Sequence, residues 1–428
     1  MTIALGRSDG WQATAVYGFA HLGKSLFWYG SELLFAFYLT ELVGLPASHM
    51  GMVLALGLLV SAGIDLVVGG RFASRLSDAG RAARLQFVGS ICCAAAFTGV
   101  FLGFWVPEGA RFAYAIGAGL VFRLAYAVYD LPQNALMALA TDDAAGRDRV
   151  AATRIWFSGA ATLLVALSVG PLIARRGVEG ATLYLALALA VAVPAIASAS
   201  LLAHTLAQSP KGPPPAPIPV PGGPGRPLRL FWLLLCLMVV TSLATPAFSK
   251  VEPFFAAYAL RSPTWGGMIV TAMALGIILG QPVWRILCGR FSRITTLVAA
   301  ATLQVVALSA FWLLPMSYPL ALAGAAFVFG LGNGGVGMVQ WAGFSEVVAT
   351  AGKGREGLAY AVFTAVSKAS LGLGSLGLGV VLSGFDYRGG DNRGLVALMT
   401  TIPAVGAVLC LVIAAFWSWA DRRSQIKA

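Results

Sequence analysis

Charge is what this chain has least of. Asp, Glu, Lys and Arg make up 11% of its 428 residues, against roughly a quarter in ordinary globular chains. Hydrophobic residues make up 58% and the mean hydropathy is +0.82, which excludes a soluble globular domain. Cysteine is scarce as well. Cys92, Cys93, Cys236, Cys288 and Cys410 lie within or at the ends of apolar runs, neither paired in outer loops nor spaced as metal ligands, so neither a disulfide framework nor a metal site is expected. The segment before the first apolar run lacks a small-residue cleavage pattern, so no cleavable signal peptide is expected. Glycines Gly372, Gly374, Gly377 and Gly379 lack the following Lys-Ser or Lys-Thr pair of a phosphate loop; close helix approach and bending explain them better. Nothing in the chain forms a nucleophile, base and oxyanion-hole set, and no enzyme or cofactor is expected.

Long apolar runs are present instead. Each is about 20 residues or more, enough to cross a bilayer, and they lie near 14–42, 48–70, 85–106, 111–140, 150–174 and 181–206, then 228–260, 265–288, 294–314, 318–349, 356–384 and 396–420. The expected fold class is therefore an all-α membrane protein of twelve transmembrane helices in two six-helix halves, 1–208 and 228–428. Between them, Ser209–Pro227 reads SPKGPPPAPIPVPGGPGRP, whose proline spacing forbids a helix and favours an extended or disordered linker. AGRDR after the fourth run and KGREG after the tenth hint at an internal repeat.

Basic residues give the orientation, since Lys and Arg stay on the cytoplasmic side. Arg71, Arg75, Arg81 and Arg84 follow the second run, Arg147 and Arg149 the fourth, Arg285, Arg290 and Arg293 the eighth, and Lys353 and Arg355 the tenth. Lys211, Arg226 and Arg229 flank the linker, and Arg422, Arg423 and Lys427 occupy the tail. Both termini and the linker are thus expected in the cytoplasm, in the cell (inner) membrane. The formal charge of +12 belongs to these scattered topogenic residues and not to a nucleic-acid-binding surface.

Charges at depth are costly and face a cavity or a partner, so each is a candidate functional residue. The eleventh run, LAYAVFTAVSKASLGLGSLGLGVVLSG, holds one lysine, Lys368, about eight residues from its nearer polar end, roughly 12 Å along a helix. The first run carries Lys24 and Glu32, with Ser25, Tyr29 and Glu32 on one helical face. Ser61 and Asp65 stand one turn apart on the second run; Arg123, Tyr126 and Asp130 follow on the fourth, and Arg154 opens the fifth. Trp28, Tyr29, Trp156 and Trp341 read as packing or interfacial aromatics.

Twelve helices in two halves fit the major facilitator architecture, and the residues resemble one of its branches. YGFAHLGKSLFWYGSELLFAFYLTELVGL, IDLVVGG, YAVYDLP and EGLAYAVFTAVSK are similar to the first, second, fourth and eleventh helices of the glycoside-pentoside-hexuronide:cation symporters. The resemblance implies that Asp65 is a cation-site carboxylate and Lys368 the lysine beside that site. It further implies that Lys24, Tyr126, Asp130 and Arg154 line the sugar pocket. This chain departs from the family at several of these positions. Ser61 stands where sodium-using members have a second acid, Ile64 where they have an amide, and Ala127 where they have a hydroxyl. Sodium needs several oxygen ligands whereas a proton needs one buried carboxylate, so H+ is the expected driving ion, with Na+ the less favoured alternative. In the pocket, Ser25 replaces an acid and Asn134 an aromatic. Glu32 is an extra acid, and Lys24, Arg123 and Arg154 suit a carboxylated substrate such as a hexuronide.

The expected function is proton-coupled symport of a sugar, glycoside or sugar acid by alternating access, by a monomer whose partners are a small-molecule substrate, the coupling cation and lipid. Alternatives are a transporter of lysolipids or other amphiphiles, a drug exporter, and a non-transporting assembly protein. If the orientation is right, a cysteine placed in Ser209–Pro227 reacts with an impermeant maleimide only after the cells are opened; labelling of intact cells would reverse the topology.

Overall fold

The computed structural model describes Leu5 and residues 11–71, 79–139, 144–207, 226–350, 356–389 and 392–426. The centre of the expected linker, the GGRFASR turn beyond Arg71, and KGREG up to Arg355 lie outside the described residues. Among the described residues the chain is helical and contains no strand. Hydrocarbon offers no hydrogen-bond partner, and a helix satisfies its own backbone.

The first six crossings are α1 (Trp11–Phe37), α2 (Ala47–Arg71), α3 (Ala79–Val100), α4 (Arg111–Leu139), α5 (Ala144–Ile173) and α6 (Gly177–Leu206). The seventh is broken into α7 (Arg226–Ala244) and α8 (Pro246–Phe254). Pro246 has no N–H to give the preceding turn, and the helix restarts after Thr245. Then come α9 (Pro263–Arg290), α10 (Arg293–Leu313), α11 (Pro319–Thr350), α12 (Glu356–Ser383) and α13 (Asn392–Ile426). Among the described residues eleven segments, Arg229–Ala259 counted as one, are long and apolar enough to span a membrane. Helix α1 is not among them because Lys24, Glu32, His21 and its serines and glycines dilute it, yet it is long enough to cross and most of it is buried. All five cysteines are free.

The chain groups into two compact units, one of Met1–Val165 with Arg175–Pro217 and the other of Ala166–Ala174 with Ile218–Ala428. Helix pairing repeats between them. In the first, α3 packs on α4 and α6, α2 on α4, and α1 on α6. In the second, α10 packs on α11 and α13, α9 on α11, and α7 and α8 on α13. One close approach within the second unit is made by Gly374, where a Cβ would lie 2.7 Å from the Leu243 carbonyl oxygen. Gly377 faces open space, so the expectation of close packing holds for the first of these glycines and fails for the second.

The repeat is sharpest at one joint. Helix α1 ends in a π-helical turn, Tyr38–Leu42, and α8 ends in another, Phe255–Ala259. Val43 N donates to Tyr38 O at 3.0 Å and Leu260 N to Phe255 O at 2.8 Å; Leu45 N donates to Leu39 O and Ser262 N to Ala256 O. Next comes a residue in the left-handed region, Gly44 at φ 81° and Arg261 at φ 52°, and then the prolines that precede or open the following helix, Pro46 and Pro263. Each pair is separated by 217 positions (38 to 255, 44 to 261, 46 to 263). The sequence reading placed its repeat hint elsewhere and missed this joint.

Glycine adopts the left-handed region freely, whereas a side chain there costs about 1–2 kcal/mol. A Cβ on Gly44 would meet only Arg111 Nη1, at an ordinary 3.7 Å, so the cost of adding one is conformational and not steric. Gly44→Ala should therefore lower the melting temperature of the detergent-solubilised protein, while Arg261→Gly should raise it or leave it unchanged. Equal losses in both variants would show that the joint is not held by this backbone geometry.

Candidate functional site

The polar centre of the first unit is built on α1, α4 and α5. Lys24 Nζ lies 2.6 Å from Asp130 Oδ1, with side-chain exposures of 6% and 15%. Eight residues further along α1 (24 to 32) and seven back along α4 (130 to 123), Arg123 Nη2 lies 2.6 Å from Glu32 Oε1. The two helices therefore run antiparallel here, and the two ion pairs form rungs about 11 Å apart along them. Losing one partner of such a buried pair strands the other charge, at a cost of about 3–5 kcal/mol.

Each rung has its own surroundings. At the first, Asn134 Oδ1 accepts from Lys24 Nζ at 3.3 Å and from Arg154 Nη2 at 2.8 Å, so one amide oxygen holds two cations. His21 Nε2 lies 2.9 Å from Ser158 Oγ, which is 3.3 Å from Ser25 Oγ; the His21 ring stacks on Tyr17. The second rung is aromatic. The Arg123 guanidinium sits 5.2 Å from the Trp28 ring centroid and 5.4 Å from that of Phe122, and Trp28 packs on Tyr126 at 5.5 Å. Gly57 leaves room for the Arg123 stem, since a Cβ there would stand 3.2 Å from Arg123 Cγ. Arg123 Nη1 is buried with no hydrogen-bond partner among the described residues.

Lys24, Glu32, Tyr126, Asp130 and Arg154 are thus brought onto three neighbouring helices, and Trp28, read from sequence as packing, belongs with them. Asp65 is buried on α2 of the first unit and Lys368 is buried on α12 of the second. Ser61, one turn before Asp65, is fully buried, and its hydroxyl has no partner among the described residues.

Sequence reasoning missed His21 and Ser158, and it noted Asn134 only as a departure. It also missed a polar group in the second unit. There Lys250 Nζ donates to Ser375 Oγ at 2.7 Å, beside a small cleft lined by Ser242, Pro246, Lys250, Gly374 and Ser375. Two residues on, Glu252 is wholly buried. The signal was the pair of charges in PAFSKVEPFF, inside the seventh apolar run.

Comparison with known proteins gives the family. The family described as MFS/sugar transport protein matches residues 16–420. A relative named uncharacterized symporter YjmB, from Bacillus subtilis (strain 168), is 23% identical over 161 residues, 37% of this chain and 35% of that protein; the match spans about a third of the relative's length. Among solved structures, a D-xylose-proton symporter superposes with a TM-score of 0.61 at 15% identity, over 93% of this chain and 96% of that one. Tetrameric PepTSo2 gives 0.64 at 13% identity over 96% and 98%. A bacterial homologue of the iron transporter ferroportin, facing inward, gives 0.63 at 14% over 95% and 98%. At these identities the structures show the fold alone, while the family match covers nearly the whole chain: this protein is a multi-pass membrane transporter and not an enzyme, a member of the MFS/sugar transport protein family.

Proposed function

We propose that the chain is a proton-coupled symporter for a sugar, glycoside or, most specifically, a carboxylated sugar. The observation that carries this reading is the convergence of Lys24 and Arg154 on the single oxygen Asn134 Oδ1, with Asp130 the carboxylate beside them. Among the described residues of both rungs three cations (Lys24, Arg123, Arg154) face two carboxylates (Glu32, Asp130), one positive charge in excess. A substrate carboxylate replaces the neutral amide as acceptor and cancels that excess, forming charge-assisted bonds of about 1.5–3 kcal/mol each. Asp130 accepts from sugar hydroxyls, and the Trp28 and Tyr126 rings offer an apolar face for the pyranose. Arg123 Nη1 is a spare donor for the same ligand.

For coupling, the proposed proton carrier is Asp65, and Lys368 is proposed as a second coupling residue. This assignment rests on the family resemblance, on the burial of both residues, and on Ser61 supplying a hydroxyl where sodium coupling would want an acid. A proton needs one carboxylate, and Asp65 provides it.

Three variants test the reading in proteoliposomes given radiolabelled sugars and sugar acids under imposed proton or sodium gradients. Asn134→Asp places a carboxylate between the two cations; it should raise the KM for a uronic acid about tenfold to a hundredfold, from the loss of one charge-assisted bond, and affect a neutral glycoside far less. Equal losses for both substrates would remove the carboxylate from the proposal. Asp65→Asn should abolish uphill accumulation while preserving counterflow, and Lys368→Ala should move the pH optimum upward. Accumulation by Asp65→Asn, or wild-type accumulation that follows sodium and ignores a proton gradient, would overturn the coupling assignment.

A further inference from the structure

Glu252 has no role in the site just described, and its surroundings are unlike those of Glu32 and Asp130. It is completely inaccessible, and neither carboxyl oxygen has a hydrogen-bond partner among the described residues. Glu32 and Asp130 each meet a basic side chain at 2.6 Å. The neighbour of Glu252 is backbone: a Cβ on Gly266 of α9 would lie 3.0 Å from Oε1 and 2.1 Å from the Ala256 Cβ, so the carboxyl is pressed where two helices touch.

The nearest cation in sequence is turned away. Lys250 precedes Glu252 by two residues, which on a helix means nearly opposite faces, and it is bonded to Ser375 of α12 while Glu252 lies against α9. On the elements packed against α8, the mid-helix titratable groups are Cys236, Lys250, Tyr258, Lys368 and Cys410; Arg229, Arg285, Cys288, Arg290, Arg393 and Asp421 lie toward helix ends. Among the described residues none of them hydrogen-bonds to Glu252.

The internal repeat shows what this position would otherwise hold. At the spacing of 217 the counterpart of Glu252 is Phe35 (35 to 252), three residues before the π-helical turn in each half. Phe35 is buried in an aromatic cluster with Phe97, Phe101 and Phe122. A carboxyl therefore occupies what is, in the other half, a core aromatic position. An ionised carboxylate without a partner is not sustained in such a place; the group neutralises instead. Even neutral, it leaves an O–H donor and a carbonyl acceptor unmet, so any conformation that opens the Gly266 contact to water or to a cation favours the ionised form.

We propose that Glu252 is a proton-binding site of the second unit, holding its proton in this conformation and releasing it when the α8–α9 contact opens. Proton binding and conformation are then linked: the proton stabilises the closed contact, and its loss favours the open one. The inference deepens the proton-coupled reading and rests on it for the cycle of conformations, but it assigns a site separate from Asp65.

The test is pH-difference infrared spectroscopy of the full-length protein in lipid, without substrate or gradient. Wild type should show a protonated-carboxyl C=O band that fades as the pH rises, vanishes in Glu252→Gln, is displaced in Glu252→Asp and persists in Asp65→Asn. A band untouched by Glu252→Gln, or one that is lost there but is constant at every pH in wild type, overturns the proposal. Loss in Asp65→Asn alone also overturns it while supporting the Asp65 assignment, so the two readings fail separately. Thermal melting gives a second readout should the glutamine variant not fold. The folded state binds the extra proton, so wild-type stability should fall from acidic to alkaline pH, and Glu252→Met should flatten that fall. An unchanged slope in Glu252→Met overturns the proposal.

Discussion

A charge inside hydrocarbon has nothing to bind but the protein itself, and the arrangement of the first unit follows from that constraint. Lys24 and Glu32 ride on α1, and each takes its counter-ion from α4. The rungs fix which faces of the two helices meet and in what register. Arg154 draws α5 to the same place through Asn134. The residues that hold three helices together are therefore the ones a polar substrate would contact, and binding must compete with the contacts that organise the fold. Exchange of partners is a natural outcome in a buried network, because no member can leave without another taking its place.

The two halves share joints but not chemistry. The π-helical turn, the left-handed residue and the proline recur at one spacing, and the helix pairing recurs with them. At that same spacing Lys24 corresponds to Thr241, Ser25 to Ser242 and Glu32 to Ser249 (24 to 241, 25 to 242, 32 to 249), while the charged Lys250 and Glu252 correspond to Leu33 and Phe35. Backbone geometry is common property of the repeat, whereas the side chains that carry charge differ at every one of these positions. The first half concentrates paired charge; the second places a lysine on a serine and an acid against backbone.

Much of the fold was legible because lipid leaves a simple signature: apolar runs of crossing length, separated by short polar turns. Even α1, diluted by its charges, serines and glycines, was readable as a run. The break at Thr245 was not read, although Pro246 marks it, because the run continues unbroken in composition on both sides. The π-helical turns had no signature at all, since they are one-residue shifts in hydrogen bonding that any apolar sequence can make. Arg261 in the left-handed region could not be anticipated, because glycine or asparagine is the usual sign of that conformation. In the site, Lys24 and Asp130 were legible since an isolated charge in an apolar run demands a partner. The double acceptor at Asn134 was not, because an amide reveals its neighbours only in three dimensions. Lys250 and Glu252 were in plain view as letters, but the resemblance to known symporters was strongest in the first half and directed attention there.

The stack of Arg123 on Trp28 has an optical consequence. Of the eleven tryptophans in the chain, Trp11, Trp105, Trp156, Trp232, Trp312, Trp341 and Trp419 are exposed on the surface of the structure. Trp28 has a guanidinium over its ring and a tyrosine ring tilted against it. The energy of an indole excited state follows the local electric field, and here a guanidinium 5.2 Å from the ring centroid contributes to that field. Any ligand that draws Arg123 aside shifts the emission of this one residue, so the protein carries its own reporter at the second rung, with no label added.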